Sequence, residues 1–168
     1  MIEFLAALFL FIAQYNHPLK DISGSYVTTQ ELLLVNQAGL RLDNPLLGAS
    51  VGIVDKLYFA PDPSEIQKIL SVAVSGMTYT AEVYDCDDYS YWFKGELQRQ
   101  WRKAGHIAPL PIIQVFAIIR VDKTGQTFGH AFNGIVDSTG HIVWIEPQSN
   151  KVMNKGKFSF VRLFAVWI

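Results

Sequence analysis

A chain of 168 residues has the length of one ordinary domain; half of it is apolar, 13% aromatic and only 17% charged, which supports a substantial core and excludes disorder. A net charge of −1, with no run of lysine and arginine, leaves no long-range field to recruit nucleic acid. The one cysteine, Cys86, excludes an internal disulfide framework and a thiolate zinc cluster.

No repeat, low-complexity tract or linker divides the chain, so residues 1–168 are expected to form a single domain. The first segment, Ile2 to Ala13, is apolar on every side but too short to span a bilayer. Glu3 stands where a signal peptide carries basic residues, and no small-residue cleavage site follows before Asn16. A buried helix over 1–16 is therefore preferred to a signal sequence, with a helix that docks on a protein partner as the third option.

Thr28-Thr29-Gln30-Glu31 has the capping-box pattern and predicts a helix through Leu32 to Val35, ended by Gly39. Asn44 to Gly52 reads as loop, and Asp55 to Phe59 as a short strand. Asp62-Pro63-Ser64-Glu65 gives a capping residue, a proline suited to the first turn and a glutamate to close the box, predicting a helix through Ile66, Ile69 and Leu70 towards Gly76. Asp85 is the third start signal. It can cap a helix whose first residue is Cys86 and whose core-facing stripe is Cys86, Ser90, Phe93, Leu97 and Trp101. The thiol then sits at a helix N-terminus, beside unpaired backbone N–H groups and the positive end of the dipole.

From Pro111 the period changes to two. Ile112 to Val121, Thr127 to Val136, His141 to Pro147 and Phe158 to Ile168 read as strands. Asp122-Lys123-Thr124-Gly125 and Asp137-Ser138-Thr139-Gly140 both suit a type I turn with a glycine bulge. Helices followed by an antiparallel meander predict an α+β domain, with a helical N-terminal half packed on an antiparallel sheet.

The second turn makes a geometric statement. If Asp137 pairs with His141, paired positions sum to 278, so Gly134 lies opposite Trp144 and Phe132 opposite Glu146. His130, Glu146 and Gln148 then share one sheet face, with Glu146 diagonal to His130. A two-residue turn would put Glu146 on the other face. Trp144 over a glycine supports the register, because a bulky ring needs a small neighbour.

Cysteine nucleophiles need a thiolate, a base and a third group that orients the base. Cys86, His130 and Glu146 are the candidates, with Gln148 in reserve for Glu146 and the Cys86 N–H as one oxyanion donor. Against this, Asp85, Asp87 and Asp88 crowd the thiol with negative charge. Their ordinary role is capping and dipole compensation; the other explanation is that Asp87 and Asp88 are drawn off by a divalent cation or by buried partners. Taken alone, Cys86 reads first as a small core hydrophobe, and His130 between two phenylalanines first as a core histidine. Glu146 inside an apolar strand is harder to explain without a partner. His17, His106 and His141 are rival bases, of which His141 starts on the opposite face and His106 lies at the far end of the cysteine helix.

Taken in order, Tyr84-Asp85-Cys86-Asp87-Asp88-Tyr89, Gly129-His130-Ala131-Phe132-Asn133 and Trp144-Ile145-Glu146-Pro147-Gln148 resemble the papain-like C-terminal domain of the MOA-type mushroom agglutinins and related stand-alone bacterial and phage proteins. The separations of 44 and 16 residues resemble that family too, as does Asp55 to Leu70, over roughly Tyr26 to Gln148. The resemblance implies a papain-like cysteine protease fold, a Cys86–His130–Glu146 triad, and calcium-dependent proteolysis with Asp87, Asp88 and Gln148 as calcium ligands. The agglutinins' sugar-binding trefoil has no counterpart here, so glycan binding is not inherited.

The expected reaction is hydrolysis of peptide or isopeptide bonds, with amine transfer as its close variant. It needs no cofactor; calcium enters only through the resemblance. Expected partners are a peptide or protein substrate, and any protein that the apolar N-terminus docks on. The alternative is a structural or interaction protein, such as a subunit of a larger assembly, with a silent triad. Loops 43–52 and 104–111 name no side-chain preference, and nothing in the sequence names a compartment or an oligomeric state.

Overall fold

The computed structural model describes residues 17–32, 50–52, 55–73, 85–153 and 155–167. Expectations for the apolar N-terminus, for the end of the first helix and for most of the 43–52 loop lie outside these residues. The described strands are β1 (Gly24–Thr28), β2 (Ser50–Gly52), β3 (Leu57–Pro61), β4 (Ile112–Val121), β5 (Thr127–Val136), β6 (Ile142–Glu146), β7 (Lys151–Val152) and β8 (Phe158–Trp167). The helices are α1 (Ile66–Ser71) and α2 (Cys86–Lys103), with short 3-10 turns at Pro63–Glu65 and Lys155–Lys157. A further helical turn begins at 29–32.

β2-β8-β4-β5-β6-β7 form one sheet, antiparallel throughout except where β2 runs parallel to β8, while β1 and β3 form a separate antiparallel pair. Both faces of the large sheet are covered. Phe93, Leu97 and Trp101 of α2 pack with Ile66 and Ile69 of α1 against Ile112, Ile135 and Ile145. On the other face Ile113, Val115, Phe132 and Trp144 meet Tyr58, Leu32 and Phe158. This two-sided burial explains why Ile112 to Val115 are all buried rather than alternating.

The fold expected from sequence is corrected here. The described part of the N-terminal half holds three strands and only short helical pieces, so the described residues hold more sheet than helix and do not form a papain-like helical half packed on a sheet. β1 escaped detection because four of its five residues are exposed, leaving no apolar alternation to read. The helix predicted from Asp62 shrinks to a 3-10 turn and six residues. Asp62 makes no capping bond; its carboxylate accepts the Ser138 hydroxyl from the β5–β6 turn. By contrast Thr28 and Glu31 close a reciprocal capping box: the Thr28 N–H donates to Glu31 Oε2 at 2.7 Å and the Glu31 N–H to Thr28 Oγ1 at 3.3 Å.

The second half follows its sequence closely. β4 and β5 have the predicted bounds, and β5–β6 pairs in the predicted register, with Asn133 opposite Ile145 and Gly134 opposite Trp144. Asp137 N–H donates to His141 O at 2.9 Å around a three-residue loop whose Gly140 has φ 80°. The β4–β5 connection is one residue longer than its twin, with Gly125 N–H returning to Val121 O at 2.8 Å.

Two glycines give opposite expectations. A Cβ at Gly134 would lie 2.7 Å from Ile142 Cγ2 and about 3 Å from the buried Trp144 ring. Gly134→Val should therefore lower stability by about 2 kcal/mol, read as a shift in the urea midpoint. Gly95 sits inside α2 with open space around it. Gly95→Ala should raise stability by about 0.5–1 kcal/mol in the same experiment.

Candidate active site

Cys86 occupies the first position of α2 because Asp85 stops the chain in an extended conformation and caps it: the Asp85 carboxylate accepts the Asp87 N–H at 3.3 Å. At that position the Cys86 N–H has no intrahelical acceptor. The buried stripe behind it is Tyr89, Ser90, Phe93, Leu97 and Trp101, which seats the helix on the sheet.

His130 and Glu146 project from the face opposite α2, and the thiol reaches them around an open edge. The positions that face β6 in the ladder are Asp137, just past the end of β5, then Ile135 and Asn133, so Ala131 would come next, opposite Pro147. β6 ends at Glu146, and a proline has no N–H to complete that pair. The Ala131 N–H donates instead to Cys86 Sγ at 3.4 Å. The sulfur takes the place of a strand at the edge of the sheet.

Glu146 holds the imidazole. His130 Nε2 lies 2.8 Å from Glu146 Oε2, and the Cys86 side chain lies near enough to the ring to raise its pKa. The other carboxylate oxygen of Glu146 accepts the Gln148 N–H at 3.3 Å. His130 stacks on Phe132 with ring centroids 5.8 Å apart and meets Phe128 edge-on at 6.0 Å. Its side chain is 13% exposed and that of Glu146 26%. Burial pulls the His130 pKa down, but the bonds to Cys86 and Glu146 and their charges more than offset it, taking the ring up to about 9. At neutral pH the imidazole is therefore protonated and ion-paired with Glu146.

The remaining candidates fall into place around this centre. Gln148 is exposed and contributes its backbone amide rather than its side chain. Trp144 is buried over Gly134 and supports Phe132 edge-on at 5.4 Å. Of the rival bases, His17 bonds Gln100, His106 stacks on Trp101 and bonds the Leu19 carbonyl, and His141 bonds Thr139.

The acidic first turn couples two of its carboxylates. The Asp87 carboxyl, when protonated, donates to Asp85, and with burial and the neighbouring charges this holds it above its ordinary range. Asp85, Cys86 and Asp87 place one ligand atom each within 4.8 Å of one another; Asp88 is not in that group. Two carboxylates and a sulfur do not by themselves fit calcium, which takes six to eight oxygens.

Sequence reasoning missed two features. The Ala131 amide is invisible in a side-chain motif, although the proline that ends β6 signals it. Below the first turn of α2, Ser90, Gln114 and Asn133 form a fully buried polar patch; the signal was Ser90 inside an apolar helix stripe.

Among the described residues a mainly antiparallel sheet carries one long helix whose N-terminus reaches the sheet edge beside His130 and Glu146. No family model and no curated protein matches the sequence. Among solved structures the chain is similar to the Polyporus squamosus lectin PSL1a in complex with E64, at 19% identity and a TM-score of 0.60, over 85% of this chain and 51% of that one. It is similar to a second structure of Polyporus squamosus lectin, bound to the human-type influenza-binding epitope Neu5Acα2-6Galβ1-4GlcNAc, at 19% identity and a TM-score of 0.59, over 85% and 49%. The fold is thus that of part of a mushroom agglutinin-type lectin, and this chain spans about half the length of each neighbour. Among the described residues no helix is long and apolar enough to cross a membrane.

The His130 pair gives a pH signature. A ring raised from 6.5 to about 9 contributes stability that is fully present below pH 6.5 and lost as pH climbs through about 9. The difference in urea midpoint between the parent and Glu146→Gln should therefore be largest at pH 6 and shrink as pH passes 9.

Proposed function

We propose that this chain is a thiol hydrolase of peptide or isopeptide bonds, with Cys86 as nucleophile, His130 as proton carrier and Glu146 as the group that orients and charges His130. The observation carrying it is an imidazole bonded to a carboxylate, with a helix-tip thiol held on the amide of the very next residue, Ala131. In the ion-paired form the Cys86 thiolate attacks the scissile carbonyl carbon. The carbonyl oxygen gains negative charge beside the Cys86 N–H at the helix N-terminus. The amine leaves with the proton held on His130, giving a thioester on Cys86. Neutral His130 then removes a proton from water as it attacks the thioester; the acid is released and the thiolate–imidazolium pair returns. Glu146 keeps one tautomer and orientation throughout, fixed in turn by the Gln148 amide. Transfer to an amine in place of water uses the same groups. No step needs a cation.

The finer resemblance, to the proteolytic part of the MOA-type agglutinins, belongs to this proposal. It is supported by PSL1a having been solved with E64, a compound whose epoxide is opened by a thiolate. A second reading also has a specific observation behind it. The neighbours are lectins, one of them holding a sialylated glycan, which suits a chain that binds carbohydrate or protein through this fold while the triad is silent.

Labelling decides between them. With one cysteine in the chain, mass spectrometry of the E64 adduct reports Cys86 alone. The parent should label readily at pH 6, His130→Ala about 100-fold more slowly, and Glu146→Gln at an intermediate rate. Rates that rise only through the ordinary thiol range and ignore His130→Ala would leave the interaction reading in its place. Repeating the labelling with a chelator tests the implied calcium dependence directly.

A further inference from the structure

Three consecutive residues of β5 stitch the start of α2 to the sheet. The Ala131 N–H donates to Cys86 Sγ at 3.4 Å, the Phe132 carbonyl accepts Ser90 Oγ at 3.5 Å, and Asn133 Nδ2 donates to the Ser90 carbonyl at 3.2 Å. The same Asn133 nitrogen reaches the Ile113 carbonyl of β4 at 3.4 Å. Ser90 lies one helical turn beyond Cys86, and Asn133 lies three residues beyond His130. One amide therefore joins the element that carries the sulfur to the element that carries the imidazole, and to the strand behind it.

That amide is fully buried, where a polar side chain is costly unless its bonds justify it. Across the strand pair stands Gln114, 2% exposed, in register with Asn133. Its Nε2 has no partner among the described residues, and neither has Asn133 Oδ1. The patch is thus not a saturated network kept for stability. Of its two amides only Asn133 reaches the helix, and apolar substitution of Gln114 removes an unmet donor.

We infer that Asn133 is a positioning residue for the Cys86–His130 pair, setting how closely the tip of α2 approaches β5. The inference rests on the hydrolase reading above. It places the geometric control of the site in a residue that touches neither the sulfur nor the imidazole. A displacement of about 1 Å at a reacting pair is enough to cost on the order of 100-fold in rate. Losing the clamp on Ser90 frees the first turn by an amount of that kind.

The test is a double-mutant cycle on full-length protein, read as the pH profile of E64 labelling at Cys86. Asn133→Asp keeps the shape but replaces the donor with an acceptor facing two carbonyls; Asn133→Ala removes the bond without burying a charge and serves if the aspartate variant does not fold. Either should slow labelling at pH 6 on the order of 10- to 100-fold and move the profile towards that of an ordinary thiol. Gln114→Met, equally buried but not bonded to the helix, should leave the profile unchanged. In the His130→Ala background the Asn133 substitution should have no further effect, because it acts through the pair. Full additivity in that background, or a variant that melts earlier but keeps the parent's profile, overturns the positioning role. Failure of His130→Ala itself to slow labelling overturns the hydrolase reading instead, so the two failures are distinguishable.

Discussion

The amide hydrogen of Ala131 points along the edge of β5 to where the next strand should be, and what it meets is a sulfur. β6 has ended at Glu146, and the proline that follows has no N–H with which to extend the ladder. An open strand edge is ordinarily a site for unwanted pairing. Here the N-terminus of α2 covers part of it, and by doing so brings Cys86 round to the face that carries His130 and Glu146. Had β6 continued one more pair, the helix tip would have been held to the opposite face, with the sheet between thiol and imidazole.

Electrostatics at this junction depends on partial exclusion of water. A His130 ring with an 87%-buried side chain would by burial alone lose its proton easily. Flanked by a sulfur and a carboxylate it keeps the proton well above neutrality, which is the charge state a thiol nucleophile needs beside it. Phe132, stacked on the ring, and Trp144, packed edge-on to Phe132 over Gly134, hold the imidazole in that bond geometry. The aromatic core and the charged pair are thus one construction: the packing fixes the ring, and the fixed ring brings the charges together.

Similarity to half of a lectin chain gives the fold a relative without giving the chain an activity. A fold held in common at 19% identity is set by core burial and strand order, and many side-chain sets satisfy those. What distinguishes an enzyme from an inert scaffold is the relation of a few atoms, and in this chain that relation is controlled where α2 meets β5.

Local sequence determined α2, β4, β5, β6 and the register sum of the second hairpin, because each has a strong period, a capping aspartate or a turn glycine, and such signals act within a few residues. From that register alone His130 and Glu146 could be placed on one face. In the N-terminal half the capping box at Thr28 and a short strand near Leu57 were legible, but β1 is mostly exposed and has no alternation to read, and Asp62, which looks like a cap, gives its carboxylate to Ser138, 76 residues away. Only the tertiary structure decided that the helix tip meets the sheet at the point where the ladder stops, and that Asn133 joins them. Those contacts span more than 40 residues and depend on where two elements end relative to each other, a quantity no local periodicity encodes.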